Sequence, residues 1–498
     1  MTEAVSYILI ALAVLLFLHV LWLVLLLWQN KSKQHKQPLD QSHEYLIIYA
    51  TQSGNAANLA QQTAEKFKHL NISNRVLDIQ HVQAYDLFQA QNILWFVSTY
   101  GEGDAPDAAR QFLFKIMSKS LDLSQQKFAI LALGDRRYSN FCQFGLNLEA
   151  WLKQNNAQEL FKTVCVDHLK PQDLVTWKNQ LEQEIHSSLV DFTEIASKPW
   201  SALTLSEREL LNRGSQGNPL YRIALQFPQG FDWQSGDIIE VQCANSDARI
   251  QQFMSVYQAE IAQLAPNFDA QSLKIKNLHL LPNRLTDENV LTWISRFKEL
   301  DYREYSAASI PSMGYLQLVI RQEIYQGQLG LGSGWLTEHA VLGETIQARV
   351  RSNPSFHLAE HIRPIILIGN GSGIAGLMSH LHQCQKLGYI NNWLIYGERQ
   401  QQFDRGFVEQ MQAWKQRGTL RELDLVYSRD GHKVRYVSDC LHKKSHQLET
   451  WVERGAVIYV CGSLKGMAQD VDNALTDILG EDVVEQLIQE KRYLRDVY

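Results

Sequence analysis

The sequence runs to 498 residues, and at about 150 residues per domain that length predicts roughly three domains rather than one core. With 45% hydrophobic and 20% charged residues it has an ordinary globular composition, and a formal charge of −6 argues against the clustered cationic face that nucleic acid needs. Six scattered cysteines (Cys142, Cys165, Cys243, Cys384, Cys440, Cys461) include no C-x-x-C pair, which fits neither a disulfide framework nor a metal site. No metal is expected, and any electron carriers should be organic cofactors.

The first element is an apolar run from Tyr7 to Trp28, YILIALAVLLFLHVLWLVLLLW. At about 1.5 Å per residue it spans a hydrocarbon core roughly 30 Å thick. The start carries Glu3 and no Lys or Arg, and no small-residue cleavage site comes after it, so residues 1–30 read as an uncleaved transmembrane anchor rather than a secretory signal. Trp22 and Trp28 suit an interfacial belt. Lys31, Lys33 and Lys36 open a polar tether over residues 31–43 and place the remainder of the chain on the cytoplasmic side. The expectation is a single-pass protein of the cell inner or cytoplasmic membrane, with everything after the tether in the cytoplasm.

Residues 44–190 alternate apolar strand-length runs (45–50, 75–79, 93–100, 128–134, 163–167) with helical patterns over Ala56–His69, Asp107–Ser118, Phe141–Gln154 and Gln172–Ser187. Continuous apolar strands alternating with helices predict a flavodoxin-like doubly wound parallel sheet, whose ligands bind at the carboxyl ends of the strands. The first strand ends in Thr51, Gln52, Ser53, Gly54 and Asn55, with Ala56 opening a helix, a turn able to surround a phosphate. Taken alone it is equally an ordinary capped turn. The third strand ends in Ser98, Thr99, Tyr100 and Gly101, and the fourth in Leu133, Gly134, Asp135 and Tyr138, with Asn140 and Phe141 beyond. One phosphate loop and two loops offering aromatic rings on one sheet edge predict an FMN site.

From the break at Ser197–Pro199, residues 198–360 carry turn signals between strand-like pieces, predicting an antiparallel β-barrel with a small helical insertion at about 247–301. There Arg303 can pair with a pyrophosphate, beside Glu304; Tyr305 can pack on a flavin and Ser306 can bond near its N5. The glycine-rich run containing Gly330, Leu331, Gly332 and Ser333 suits a second loop against the diphosphate of FAD, though such runs are usually turns.

Residues 361–498 return to strand–helix alternation, a ferredoxin-reductase-like α/β domain. Its first loop holds Gly371, Ser372 and Gly373 between strand and helix, as in a dinucleotide fingerprint. Ser428, Arg429, Lys433, Arg435 and Tyr436 give the hydroxyl and cations that a 2′-phosphate needs, so NADPH is expected over NADH despite Asp430. Cys461 ends another strand, where a small apolar filler is the plain alternative.

The ordered motifs T-Q-S-G-N, S-T-Y-G-E-G-D, L-G-D-x-x-Y-x-x-F-C, R-x-Y-S, I-G-x-G-x-G-I-A, Y-G-E-R, S-R-D and Y-V-C-G-x-x-x-x-M-A-x-D-V resemble those of the diflavin reductases, from Tyr45 to Tyr498. That family includes microsomal haem-monooxygenase reductases and the flavoprotein subunit of bacterial sulfite reductase, and the ending K-R-Y-L-R-D-V-Y looks closest to the latter. The resemblance implies hydride transfer from NADPH to FAD helped by Ser306, Cys461 and Asp496, single electrons leaving through FMN, and Tyr498 as a displaceable cover on the flavin. It adds Asp470, in M-A-x-D-V, to the NADP-binding set. Ser463 and Gly376 depart from the usual Asp and Pro, Arg136 and Arg137 replace neutral or acidic residues, and the barrel insertion is short. The expected activity is that of a membrane-anchored NADPH-dependent reductase serving a membrane-associated haem protein or similar one-electron acceptor. A small acceptor such as a ferric chelate or quinone is the alternative; a scaffold with decayed flavin sites would purify colourless.

Overall fold

The computed structural model describes residues 44–498 except 53, 102, 137, 193–197, 326, 360 and 361. The expected anchor and tether (residues 1–43), with Ser53 and Arg137, lie outside the described residues. Among the described residues no helix is long and apolar enough to cross a membrane.

The first domain is a parallel sheet of β1 (Tyr45–Ala50), β2 (Asn74–Asp78), β3 (Asn92–Ser98), β4 (Lys127–Gly134) and β5 (Val164–Asp167) in the order β2-β1-β3-β4-β5. A two-residue piece at Gln158–Glu159 pairs with the start of β4, so the fifth strand is broken. Successive side chains of a strand point to opposite faces. Ile93, Trp95 and Val97 of β3 accordingly enter one core, and Leu94 and Phe96 the other. Helices cover both faces. In α1 (Asn55–His69) the buried residues Ala56, Leu59, Ala60, Thr63, Ala64 and Phe67 recur at helical spacing. The cover continues with α2 (Gln143–Gln154) and α3 (Pro171–Ile185). The expected helix at Asp107–Ser118 is instead a 3₁₀ turn, a short α piece and a π turn over Leu113–Met117. Such widened turns are frequent at functional positions, and the segment as a whole presents Arg110, Gln111 and Lys115 to the third domain.

The second domain is an antiparallel sheet of β6 (Ser201–Leu210), β7 (Leu220–Gln226), β8 (Ile238–Val241), β9 (Arg303–Ser306), β10 (Leu316–Arg321) and β11 (Thr345–Arg351), ordered β9-β8-β11-β6-β7-β10. The end strands β9 and β10 come back into contact, giving the barrel. Between β8 and β9 run α4 (Asp247–Leu264) and α5 (Val290–Ser295), which close their own small core around Phe253, Trp293 and Phe297.

The third domain is a parallel sheet of β12 (Ile365–Asn370), β13 (Asn392–Glu398), β14 (Glu422–Tyr427), β15 (Val457–Gly462) and β16 (Tyr493–Val497), ordered β14-β13-β12-β15-β16. Helices α6 (Ile374–Leu387) and α7 (Gln469–Leu479) flank it. One face of this sheet shares its core with the barrel: Leu211, Leu220, Ala308 and Val319 pack with Ile365, Leu367 and Leu377. Domains two and three therefore form one apolar unit. The cores of the first domain contain only its own residues.

Candidate active site

Three loops of the first domain converge at the carboxyl edge of its sheet. In the first, the Gly54 amide donates to Thr51 Oγ1 (2.9 Å), and Gly54 has a left-handed backbone (φ 86°) that suits glycine. Asn55 and Ala56 then open α1, whose first turn carries no acidic residue, leaving its positive end available to an anion. Gln52 Oε1 accepts the Asp107 amide (3.2 Å), and Ser98 Oγ donates to Ala50 O (3.2 Å), tying the first loop to its neighbours. Thr99 Oγ1 accepts the Phe144 amide at the start of α2. A Cβ on Gly103 would sit 2.8 Å from Asn140 Cβ, so the second and third loops touch. Arg136 lies over the Phe141 ring at 4.2 Å.

A single cavity of about 1170 Å³ joins these loops to the other two domains. The first domain lines it with Gln52, Asn55, Ser98, Thr99, Tyr100, Gly101, Leu133, Gly134, Asp135 and Tyr138. Facing them are Glu304, Tyr305 and Ser306 of the barrel, with Ser372, Asp496 and Tyr498 of the third domain. The volume exceeds the roughly 300–1,000 Å³ of a usual single-ligand pocket, which suits more than one planar group. Arg303 and the Gly330–Ser333 run are not part of that cavity's lining, but they adjoin it through Tyr305. A Cβ on Gly332 would meet Arg303 Cγ at 2.5 Å and Tyr305 Oη at 2.7 Å, so this glycine allows the loop to lie against the strand. Ser333 is turned inward and accepts the Glu323 amide at 3.0 Å.

The residues expected at the hydride-transfer point come together from three strands. Ser306 Oγ donates to Asp496 Oδ2 (2.9 Å), and Cys461 Sγ lies 3.8 Å from the same oxygen. All three are buried. Burial raises the Asp496 pKa against the opposing hydrogen bond from Ser306, and burial likewise pushes the Cys461 thiol up, so cysteine is a neutral donor here. A Cβ on Gly376 would lie 3.2 Å from Cys461 Sγ. Tyr498 remains 52% exposed, with Oη 3.3 Å from Ser372 Oγ and its amide donating to Gly462 O.

In the dinucleotide loop, Gly371 O accepts Tyr396 Oη, and Gly373 packs so tightly that a Cβ would fall 2.2 Å from Cys461 O. Farther along the same sheet edge, the Ser428 amide donates to Glu398 O (2.9 Å) and the Arg429 amide to Arg399 O (2.8 Å). Arg435 Nε reaches Ser428 O, and its guanidinium lies 5.5 Å from the Tyr436 ring. Lys433 lines a neighbouring depression of about 530 Å³ with Arg405, Lys443 and Lys444. Asp470 is exposed in the first turn of α7.

Several cavity residues escaped the sequence reading. Arg349 and Arg351 alternate along β11 and enter the cavity with Glu240, which pairs with Arg349, while Arg351 lies 3.3 Å from Glu304. Their period-two spacing in TIQARVR was the available signal. His168 and Tyr302, in edge contact between the first and second domains, gave none.

A flavodoxin family model matches residues 47–177, and an oxidoreductase NAD-binding domain model matches residues 367–473. The sulfite reductase [NADPH] flavoprotein alpha-component of Vibrio cholerae serotype O1 is 26% identical over 544 residues, covering 92% of this chain and 88% of the relative. The proteins of that name from Mannheimia succiniciproducens and Shewanella sp. (strain MR-7) are each 26% identical, over 91% of this chain and 89% of theirs. A phosphate-ready loop, two ring-bearing loops and a buried Ser–Asp–Cys cluster around one cavity fit FMN, FAD and NADPH as cofactors. The chain therefore resembles the diflavin reductases, NADPH-dependent oxidoreductases that join a flavodoxin domain to an NAD-binding domain.

Proposed function

We propose that this protein is a membrane-anchored NADPH-dependent reductase of the inner or cytoplasmic membrane, passing electrons to a haem protein or similar one-electron acceptor. The reading is carried by the single cavity that runs from the three loops of the first domain to Ser306, Asp496 and Tyr498. When bound, NADPH is the hydride source, FAD the two-electron acceptor and FMN the one-electron outlet. Asp496 accepts from Ser306 and faces Cys461, so one buried carboxyl orients two donors at the point of transfer. Its raised pKa suits it to hold a proton there. The Tyr498 backbone is held by its amide donating to Gly462 O and its carbonyl accepting from the Leu464 amide. Its exposed ring is tied only through the hydroxyl to Ser372, so the ring can swing without breaking a core. Ser428, Arg429 and Arg435 are grouped to take a 2′-phosphate.

The apolar run 7–28 and the lysines behind it support the membrane placement. A second reading has one specific support: relatives spanning about nine-tenths of this chain are named as the flavoprotein component of sulfite reductase, which favours a sulfite-reducing haem protein as acceptor. Release and quantification of flavins from detergent-purified protein, followed by anaerobic titration with NADPH and NADH, tests the core of the proposal. About one FMN and one FAD per chain, bleached by NADPH and poorly by NADH, is the expected result. Membrane fractionation and flotation test the anchor; recovery in the soluble fraction counts against it. Fast turnover with ferric chelates or quinones alone would move the acceptor to a small molecule.

A further inference from the structure

Two thiols lie beneath the loop that carries Tyr138 and Phe141. Cys142 ends that loop: it caps α2 with a left-handed backbone (φ 56°), is fully buried, and places Sγ 3.2 Å from the Ala132 carbonyl oxygen of β4. Ala132 is the parallel partner of Cys165 on β5, and paired residues of a sheet project to the same face. Both cysteines pack into the same core beside Ala132, Cys142 through its sulfur and Cys165 as its strand partner. Burial also pushes the Cys142 thiol up. Cys165 is only partly buried, so a small oxidant meets it first. By contrast, burial pushes Cys384 and Cys440 up to about 12.

We propose that Cys142 and Cys165 form a peroxide-responsive dithiol switch under the FMN loop. The Cys165 thiolate attacks one oxygen of hydrogen peroxide, giving a sulfenic acid and hydroxide, which takes a proton to become water. The Cys142 sulfur then displaces the sulfenic hydroxyl, forming the S–S bond; its proton leaves with that hydroxyl as a second water. The peroxide gains two electrons and the thiol pair loses two. Bond closure draws the sulfurs to about 2.05 Å and takes Cys142 away from Ala132 O. The loop from Asp135 to Phe141 ends on Cys142, so its rings move with it. This last consequence rests on the proposed FMN site, whereas the cross-link does not.

Full-length protein purified with its flavins is treated with hydrogen peroxide, alkylated, digested and mapped by mass spectrometry. The expected result is a joined Cys142–Cys165 peptide, loss of two of the six titratable thiols, and reversal by dithiothreitol. FMN should dissociate about tenfold more readily, as for loss of roughly 1.4 kcal/mol of contact. Cys165→Ser should keep FMN and show neither the cross-link nor peroxide-driven FMN release. Sulfinic acid at Cys165 with Cys142 still alkylatable would overturn the pair. A cross-link with unchanged FMN retention would overturn the switch. Protein that never held FMN, yet forms the cross-link, would instead overturn the FMN-site reading.

Discussion

The Tyr100 hydroxyl joins the first domain to the strand that carries Asp496 of the buried Ser306–Asp496–Cys461 cluster. It donates to Val497 O (2.7 Å) and accepts the Val497 amide (2.9 Å), while Val497 is only 2% exposed. Tyr100→Phe removes both bonds but keeps the ring that faces the cavity. At about 1 kcal/mol per bond the loss is about 2 kcal/mol, and an amide left buried without a partner raises it towards about 3. Since about 1.4 kcal/mol is tenfold, the docked-to-undocked ratio of the first domain should fall roughly 30-fold or more. Docking should not vanish at low salt, because Arg110–Asp472 (2.7 Å), Lys115–Glu485 (3.1 Å) and Asp107–Arg495 still bridge the same surfaces. Those pairs are screened as salt rises, so the variant should open at a clearly lower ionic strength than the parent. Small-angle X-ray scattering across a salt series reads the opening directly, and flavin content checks that FMN is retained. An unchanged salt midpoint, with FMN bound in both proteins, would refute the claim that this hydroxyl holds the domains together.

Four further outcomes are expected. Removing Tyr498 should lower the NADPH-over-NADH preference in kcat/KM by about tenfold, the effect of roughly 1.4 kcal/mol; unchanged selectivity would end the gating role. Ser428→Ala combined with Arg429→Ala should weaken NADPH binding by about 1.5–3 kcal/mol while leaving NADH nearly unaffected, which calorimetric titration would measure. Gly373→Ala should destabilise the third domain by about 1–3 kcal/mol or more, because the added methyl meets the Cys461 carbonyl oxygen at 2.2 Å; chemical denaturation would read it. Because burial raises the Asp496 pKa in the fold, the native state binds its proton more tightly than the unfolded chain. Stability should therefore fall as pH rises from the ordinary carboxylate value through the raised one, and Asp496→Asn should remove that part of the pH dependence. Parallel thermal melts of the two proteins over that range test the sign, and identical pH profiles would reject it.

Much of the architecture was legible in the chain because parallel strands buried on both faces leave continuous apolar runs. Segments such as Leu46–Tyr49, and glycine turns such as Gly371–Gly373 behind a strand, mark both the elements and the edge where ligands bind. The stretch at 107–118 departs from a regular helix because apolar periodicity does not separate an α turn from a π turn; contact with Asp472 and Glu485 is a property of the docked fold. The partnership of Ser306, Cys461 and Asp496 was suggested only by resemblance, since they lie far apart in sequence and meet through the neighbouring ends of β15 and β16 against β9. Residue type and spacing by themselves determined the candidate loops, their order and the charge available to each ligand. Only the tertiary structure decided which loops share a cavity, which glycines are crowded and which carboxyl is dehydrated. Those properties depend on distances between segments remote in the chain, and local pattern carries no record of such distances.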